Sequence, residues 1–194
     1  LQAGGPGNCT QEISEKSFAA GNLYFAKKEP YYIEAGDLDL DGKVDLVSLA
    51  KYKEGGLDQF QQYDESSISI LRNTSQKSID INPVFDIKEK NYSFNYMTIA
   101  DINNDGKLDI IAIGDKIYKQ GLGEPTVDKT TCFAFINKTT EEGHMIFDKQ
   151  ELFDIETEQG FLPVCIKVAD MDLDGMPDIV MPEISLGSKY RYSD

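Results

Sequence analysis

The chain has 194 residues, with 34 acidic side chains against 19 basic ones and a formal net charge of -15. Acids that outnumber bases nearly two to one argue against a surface that grips nucleic acid, because such binding runs on neutralised phosphates. At 40% hydrophobic and 27% charged, and without a run of 18 apolar residues, the composition is that of a folded chain with one or two cores and no membrane-spanning helix.

In chain order, residues 1–17 are a Gly-rich start that carries the sequon Asn8-Cys9-Thr10. The first residue is Leu1 rather than Met, which points to a processed or excised segment. Ile33 and Ala35 then alternate with polar neighbours and lead into Asp37-Leu38-Asp39-Leu40-Asp41-Gly42-Lys43-Val44-Asp45, followed by an apolar run from Val44 to Ala50. The same order recurs twice. Met97 and Ile99 precede Asp101-Ile102-Asn103-Asn104-Asp105-Gly106-Lys107-Leu108-Asp109 and a run from Leu108 to Ile113. Ile166 and Val168 precede Asp170-Met171-Asp172-Leu173-Asp174-Gly175-Met176-Pro177-Asp178 and a run from Ile179 to Met181. Period-two alternation on the entering side and β-branched residues on the leaving side predict that each loop joins the strands of a β-hairpin. The residue before each loop is small (Gly36, Ala100, Ala169), consistent with close backbone packing.

Eleven of the 34 acids lie in these loops, whose starts are 101 - 37 = 64 and 170 - 101 = 69 residues apart. Side-chain oxygens at loop positions 1, 3, 5 and 9, with a backbone carbonyl at position 7, can surround one hard cation, and Gly at position 6 permits the reversal that gathers them. The ligand set is Asp37, Asp39, Asp41, Asp45 and the Lys43 carbonyl; Asp101, Asn103, Asp105, Asp109 and the Lys107 carbonyl; and Asp170, Asp172, Asp174, Asp178 and the Met176 carbonyl. Calcium, which accepts six to eight oxygens in flexible geometry, suits such a site, and up to three structural Ca2+ ions are expected. An EF-hand is excluded, since its bidentate Glu at position 12 is replaced by Ser48, Ala112 and Met181.

Strand, Asp-x-Asp/Asn-x-Asp-Gly-x-x-Asp, strand at a period in the sixties resembles the FG-GAP family and the related VCBS-type repeats, which form β-propeller blades in integrin α-subunits and many secreted proteins. Ile68-Ser69-Ile70-Leu71-Arg72-Asn73 and Cys132-Phe133-Ala134-Phe135-Ile136-Asn137 repeat with the same spacing, and Phe85 and Phe147 follow them. The Phe-Gly and Gly-Ala-Pro signatures of the family are absent as such; Ile113-Gly114 is the nearest approach. The resemblance implies an all-β fold of about three four-stranded antiparallel propeller blades with calcium in the acidic loops. Repeats are expected at 18–80, 81–142 and 143–194, the last one truncated, so that the segment is an open part of a larger propeller. The implied role is extracellular and non-catalytic: adhesion to, or binding of, a protein or glycan ligand. The open side would meet the remaining blades or another chain. A structural subunit of an extracellular assembly or filament, or a non-catalytic part of a polysaccharide-active propeller enzyme, is the alternative.

Polar stretches at 51–67 and 114–131 are expected to be loops on one face, with Tyr52, Phe60, Tyr63 and Tyr118 as aromatic partner contacts. The sequons at Asn8, Asn73, Asn91 and Asn137 point to a glycosylated secretory protein, although Asn73 and Asn137 also suit turns at strand ends. Cys132 and Cys165 are the preferred disulfide pair, with Cys165 as a packed thiol the alternative. His144 stands in a turn-like stretch with no nucleophile motif near it, and no catalytic residue is assigned.

Overall fold

The computed structural model describes residues 29–52, 65–74, 85–90, 92–118, 126–141, 144–155 and 161–185. The described residues form β-strands and no helix. The first sheet contains β1 (Glu29–Gly36), β2 (Asp45–Tyr52), β3 (Glu65–Leu71) and β4 (Phe85–Lys90), in that spatial order. The second repeats the plan with β5 (Tyr92–Ala100), β6 (Asp109–Tyr118), β7 (Thr126–Asn137) and β8 (Phe147–Ile155). Every neighbouring pair in both sheets is antiparallel, so each sheet is a four-stranded meander of the kind that makes a propeller blade.

A third unit follows as one interrupted hairpin. Its β9 (Phe161–Pro163) pairs with β12 (Glu183–Ser185), and β10 (Lys167–Ala169) pairs with β11 (Asp178–Val180). A hydrogen bond from Val164 N–H to the Pro182 carbonyl carries the pairing across the gap. Register slips at the same distance before the acidic loop in the other two units, between Pro30 and Tyr32 and between Phe94 and Tyr96. One extra residue on the entering strand is thus a shared bulge, which bends that strand and raises its local twist.

The blade boundaries fall later than the repeat spacing places them. The first sheet runs through Lys90 and the second through Ile155. A periodic sequence has no intrinsic starting point, and hydrogen bonding assigns the strand that begins at Phe85 to the first blade and the one that begins at Phe147 to the second. The expected loop at 114–131 is also corrected. Gly114 pairs with Thr131 and Tyr118 with Thr126, so β6 and β7 continue as a ladder through most of that stretch despite its polar composition. Backbone pairing with a neighbour overrides the hydrophobicity signal there.

Each blade is packed on the next. Val47, Leu49, Ile68 and Ile70 of the first share one core with Phe94, Met97, Ile110, Ala112, Phe133 and Phe135 of the second. On the opposite face Ile111, Ile113 and Cys132 pack with Ile166 and, at their edge, with Val168 and Ile179 of the third unit. Successive side chains of a strand point to opposite faces, so the run Ile110-Ile111-Ala112-Ile113 supplies both cores from one strand. That is why it reads as continuous apolar sequence rather than as alternation. Phe85 and Phe147, equivalent in the repeat, meet at 5.2 Å between ring centroids. Gly36 also belongs to this interface, because a Cβ there would lie 2.6 Å from the Ile99 and Leu108 side chains.

Candidate metal centre

Each acidic loop begins where an entering strand ends: 37–45 after β1, 101–109 after β5 and 170–178 after β10. Residues at loop position 4 take the left-handed conformation, with φ of 65° at Leu40, 57° at Asn104 and 63° at Leu173. Position 6 does the same at Gly42, Gly106 and Gly175, with φ of 80°, 84° and 88°. Nothing crowds those glycines, so φ alone accounts for the residue type. A leucine held at positive φ costs on the order of 1–2 kcal/mol, which the rest of the loop must offset.

The offset is visible in the backbone hydrogen bonds. In the first loop Asp37 accepts from the N–H groups of Asp41 (3.2 Å) and Gly42 (2.9 Å) through its two oxygens. Asp101 accepts from Asp105 (3.0 Å) and Gly106 (2.7 Å), and Asp170 from Asp174 (3.1 Å) and Gly175 (2.9 Å). Position 3 uses Oδ1 to accept from the N–H of position 5 in all three loops: Asp39 from Asp41, Asn103 from Asp105 and Asp172 from Asp174. Position 5 accepts through Oδ1 from position 7, that is, from Lys43, Lys107 and Met176 at 2.8, 3.0 and 2.7 Å. Position 9 reaches back through Oδ2 to the N–H of position 2: Asp45 to Leu38, Asp109 to Ile102 and Asp178 to Met171.

One oxygen of each carboxylate at positions 3 and 5 therefore accepts from the backbone and the other can face a cation; in the first loop Arg72 and the Lys43 ammonium stand against those of Asp39 and Asp41. Oxygens of Asp37, Asp39 and Asp45 lie within 4.8 Å of one another, and so do oxygens of Asp170, Asp172 and Asp174. Ligands held at 2.3–2.6 Å from one calcium can be no more than about 5 Å apart, so both clusters fit such an ion. The second loop differs by Asn103, a neutral oxygen donor at position 3, whose amide nitrogen lies 3.3 Å from Asp105 Oδ2. Burial pushes the carboxyls of Asp45 and Asp109 above the ordinary carboxylate range, against the pull of their two backbone N–H donors. Asp41 is shifted down, chiefly by the hydrogen bond from the Lys43 ammonium.

Two asparagines complete the site, and neither role follows from a sequon or a turn. Asn73 N–H donates to Asp45 Oδ1 (2.9 Å) and its amide to the Val44 carbonyl (3.2 Å). Asn137 N–H donates to Asp109 Oδ1 (2.8 Å) and its amide to the carbonyls of Leu108 (3.1 Å) and Leu38 (2.9 Å), the latter in the preceding blade. The usable sequence signal is the constant offset, 73 - 45 = 28 and 137 - 109 = 28. Asn137 is fully buried with its amide committed to two carbonyls, and Thr139 of the same sequon is buried as well. The folded protein thus has no room for a glycan on Asn137, which corrects that expectation. Asn73 is half-buried, and Asn8 and Asn91 lie outside the described residues.

Arg72, the residue before Asn73, also belongs to the site and is not predicted from the repeat. Its guanidinium pairs with Asp39 Oδ2 through Nε and stands 3.6 Å from Asp41 Oδ2. The equivalent residue of the second repeat is the buried Ile136.

The expected disulfide is not formed: Cys132 and Cys165 are both free thiols. Cys132 is fully buried in the middle of β7 among Ile111, Ile113, Ile155 and Ile166, where it packs as a small apolar side chain. Burial pushes its thiol up to about 12. His144 is exposed and forms an isolated backbone bridge with Glu141. Of the nominated contact aromatics, Tyr52 and Tyr118 end β2 and β6, while Phe60 and Tyr63 lie outside the described residues.

The sequence model of the FG-GAP-like repeat matches residues 37–112, from the first acidic loop through the second to the middle of β6. Residues 37–112 are thus an FG-GAP-type repeat segment. The matched span joins two structurally equivalent hairpins, so the family pattern coincides with the loop geometry. A search of curated proteins and one of solved structures found no match. Among the described residues, no helix is long and apolar enough to cross a membrane.

Proposed function

We propose that this FG-GAP-type segment is an extracellular, calcium-stabilised set of propeller blades with a non-catalytic adhesion or ligand-binding role. The observation that carries the reading is the threefold recurrence of one hydrogen-bond scaffold, in which backbone N–H groups hold both oxygens of the Asp at position 1 and one side-chain oxygen at positions 3 and 5. The residues that would hold calcium are positions 1, 3, 5 and 9 of each loop, with the carbonyls of Lys43, Lys107 and Met176. Calcium, when bound, supplies positive charge that offsets the carboxylate repulsion. Millimolar calcium outside cells suits sites of modest affinity, and the sequons at Asn8 and Asn91 favour the same compartment.

The same commitments favour a non-catalytic role. Clustered carboxylates that are bonded to backbone amides and facing an ion are poorly placed as general acids or bases, which need a substrate proton within hydrogen-bond reach. Partners under this reading are further propeller blades or another chain at the open faces, and a protein or glycan ligand on the loops. Calorimetric titration of the metal-stripped chain with Ca2+ tests the metal part. Binding of two or three ions per chain, abolished at the third loop by Asp170→Ala, is expected; no heat attributable to binding at millimolar Ca2+ would defeat it.

A further inference from the structure

The three loops share a backbone but differ in the charge that faces their carboxylates. The first contains four Asp and Lys43 and receives Arg72, for -4 + 1 + 1 = -2. The third contains four Asp and no basic residue, for -4. Burial differs as well. The Asp39 side chain is fully buried and that of Asp41 is 1% exposed, whereas Asp170, Asp172 and Asp174 are all exposed. A carboxylate removed from water must be neutralised or paired, and an exposed one need not be.

We propose that Arg72 is the built-in counter-cation of the first loop: its guanidinium takes the carboxylate face that the third loop leaves to a metal ion. The first loop therefore keeps its fold when metal is withdrawn, and it binds calcium more weakly than the third. The need for such a device follows from position. Leu38 of this loop is fully buried in the core between the first two blades, and its carbonyl accepts from Asn137. Loss of order there on calcium withdrawal would open the blade interface. Arginine suits the task because its planar fork reaches two carboxylates at once and it cannot be deprotonated. In the second repeat Ile136 stands in the place of Arg72 and Asn103 in the place of Asp39, so the cation and one carboxylate are absent together.

The inference rests on the calcium reading for the third loop, but its own test separates the two. Amide hydrogen exchange of the whole chain is followed in Ca2+ and in excess chelator. In chelator the amides of Leu38, Asp41 and Gly42 are expected to stay protected while those of Met171, Asp174 and Gly175 lose protection by at least about tenfold. Equal loss in both loops would overturn the role of Arg72. Protection of the third loop that ignores Ca2+ would defeat the calcium reading, and the first loop would still report on Arg72 through its variants. Arg72→Gln is expected to make the first loop calcium-dependent and to tighten its Ca2+ binding by about tenfold or more, with Arg72→Lys in between. Unchanged protection and affinity in Arg72→Gln would contradict the proposal. If that variant does not fold, Met176→Lys, at an exposed position, supplies the reciprocal test: a new cation beside Asp174 should reduce the calcium dependence of the third loop, and no reduction would count against built-in cations as the explanation.

Discussion

Leu38 and Met171 occupy the same place in loops with the same hydrogen bonds, yet Leu38 is fully buried while Met171 is 66% exposed. The difference lies in what covers each loop. The first is covered by the second blade through the shared core and the Asn137 amide, and its Asp39 is paired with Arg72. The third is exposed from Asp170 to Met176, with Leu173 85% and Met176 58% exposed. Identical local geometry therefore serves two physical regimes: one loop is held by packing and an internal cation, and the other is exposed, with the Asn104 amide of the second loop bonded to its Gly175 carbonyl.

The comparison can be broken most forcefully at position 2. Leu38→Ala should cost about 2–4 kcal/mol in urea denaturation, the range for a buried leucine, while Met171→Ala should stay within about 0.5 kcal/mol. Equal costs would mean that the first loop is not a plug between blades. Next in size, Asn137→Ala removes two amide hydrogen bonds, one of them to the buried Leu38 carbonyl, and should cost about 1–3 kcal/mol. Peptide mass spectrometry of the chain expressed through a secretory pathway should find Asn137 unmodified, and an occupied glycan there would contradict its burial.

The smallest effect concerns Asp154 on β8, whose exposed carboxylate is held below its ordinary value first by the Lys129 ammonium and then by the Thr131 hydroxyl. A depressed carboxyl stabilises the fold above its unfolded value, and that contribution disappears as pH falls through the folded value. Wild type should melt slightly above Asp154→Asn at neutral pH and converge with it as pH falls below the ordinary carboxylate range. A gap that persists in acid would assign the effect to packing instead.

The acidic loops, their hairpin context and the β-branched central strands were legible because each rests on a local rule: ligand spacing, a glycine at positive φ, strand periodicity. What was not legible depends on neighbours distant in sequence. Arg72 reaches Asp39 across 33 residues and Asn137 reaches Leu38 across 99, and no local pattern carries such contacts. The polar stretch after Gly114 continued as strand because β7 was there to pair with it. Cys132 proved to be a packed thiol because both faces of the second blade are covered.

The most direct test is thermal unfolding of the intact chain in about 1 mM Ca2+ and in excess chelator. At an affinity near 0.1 mM each site would contribute about 1.4 kcal/mol, or roughly 3–6 °C in Tm for a chain of this size. A fall of at least that amount on chelation, with magnesium a poor substitute for calcium, is the predicted result. A melting temperature that chelation does not move would contradict calcium as a structural element of these blades.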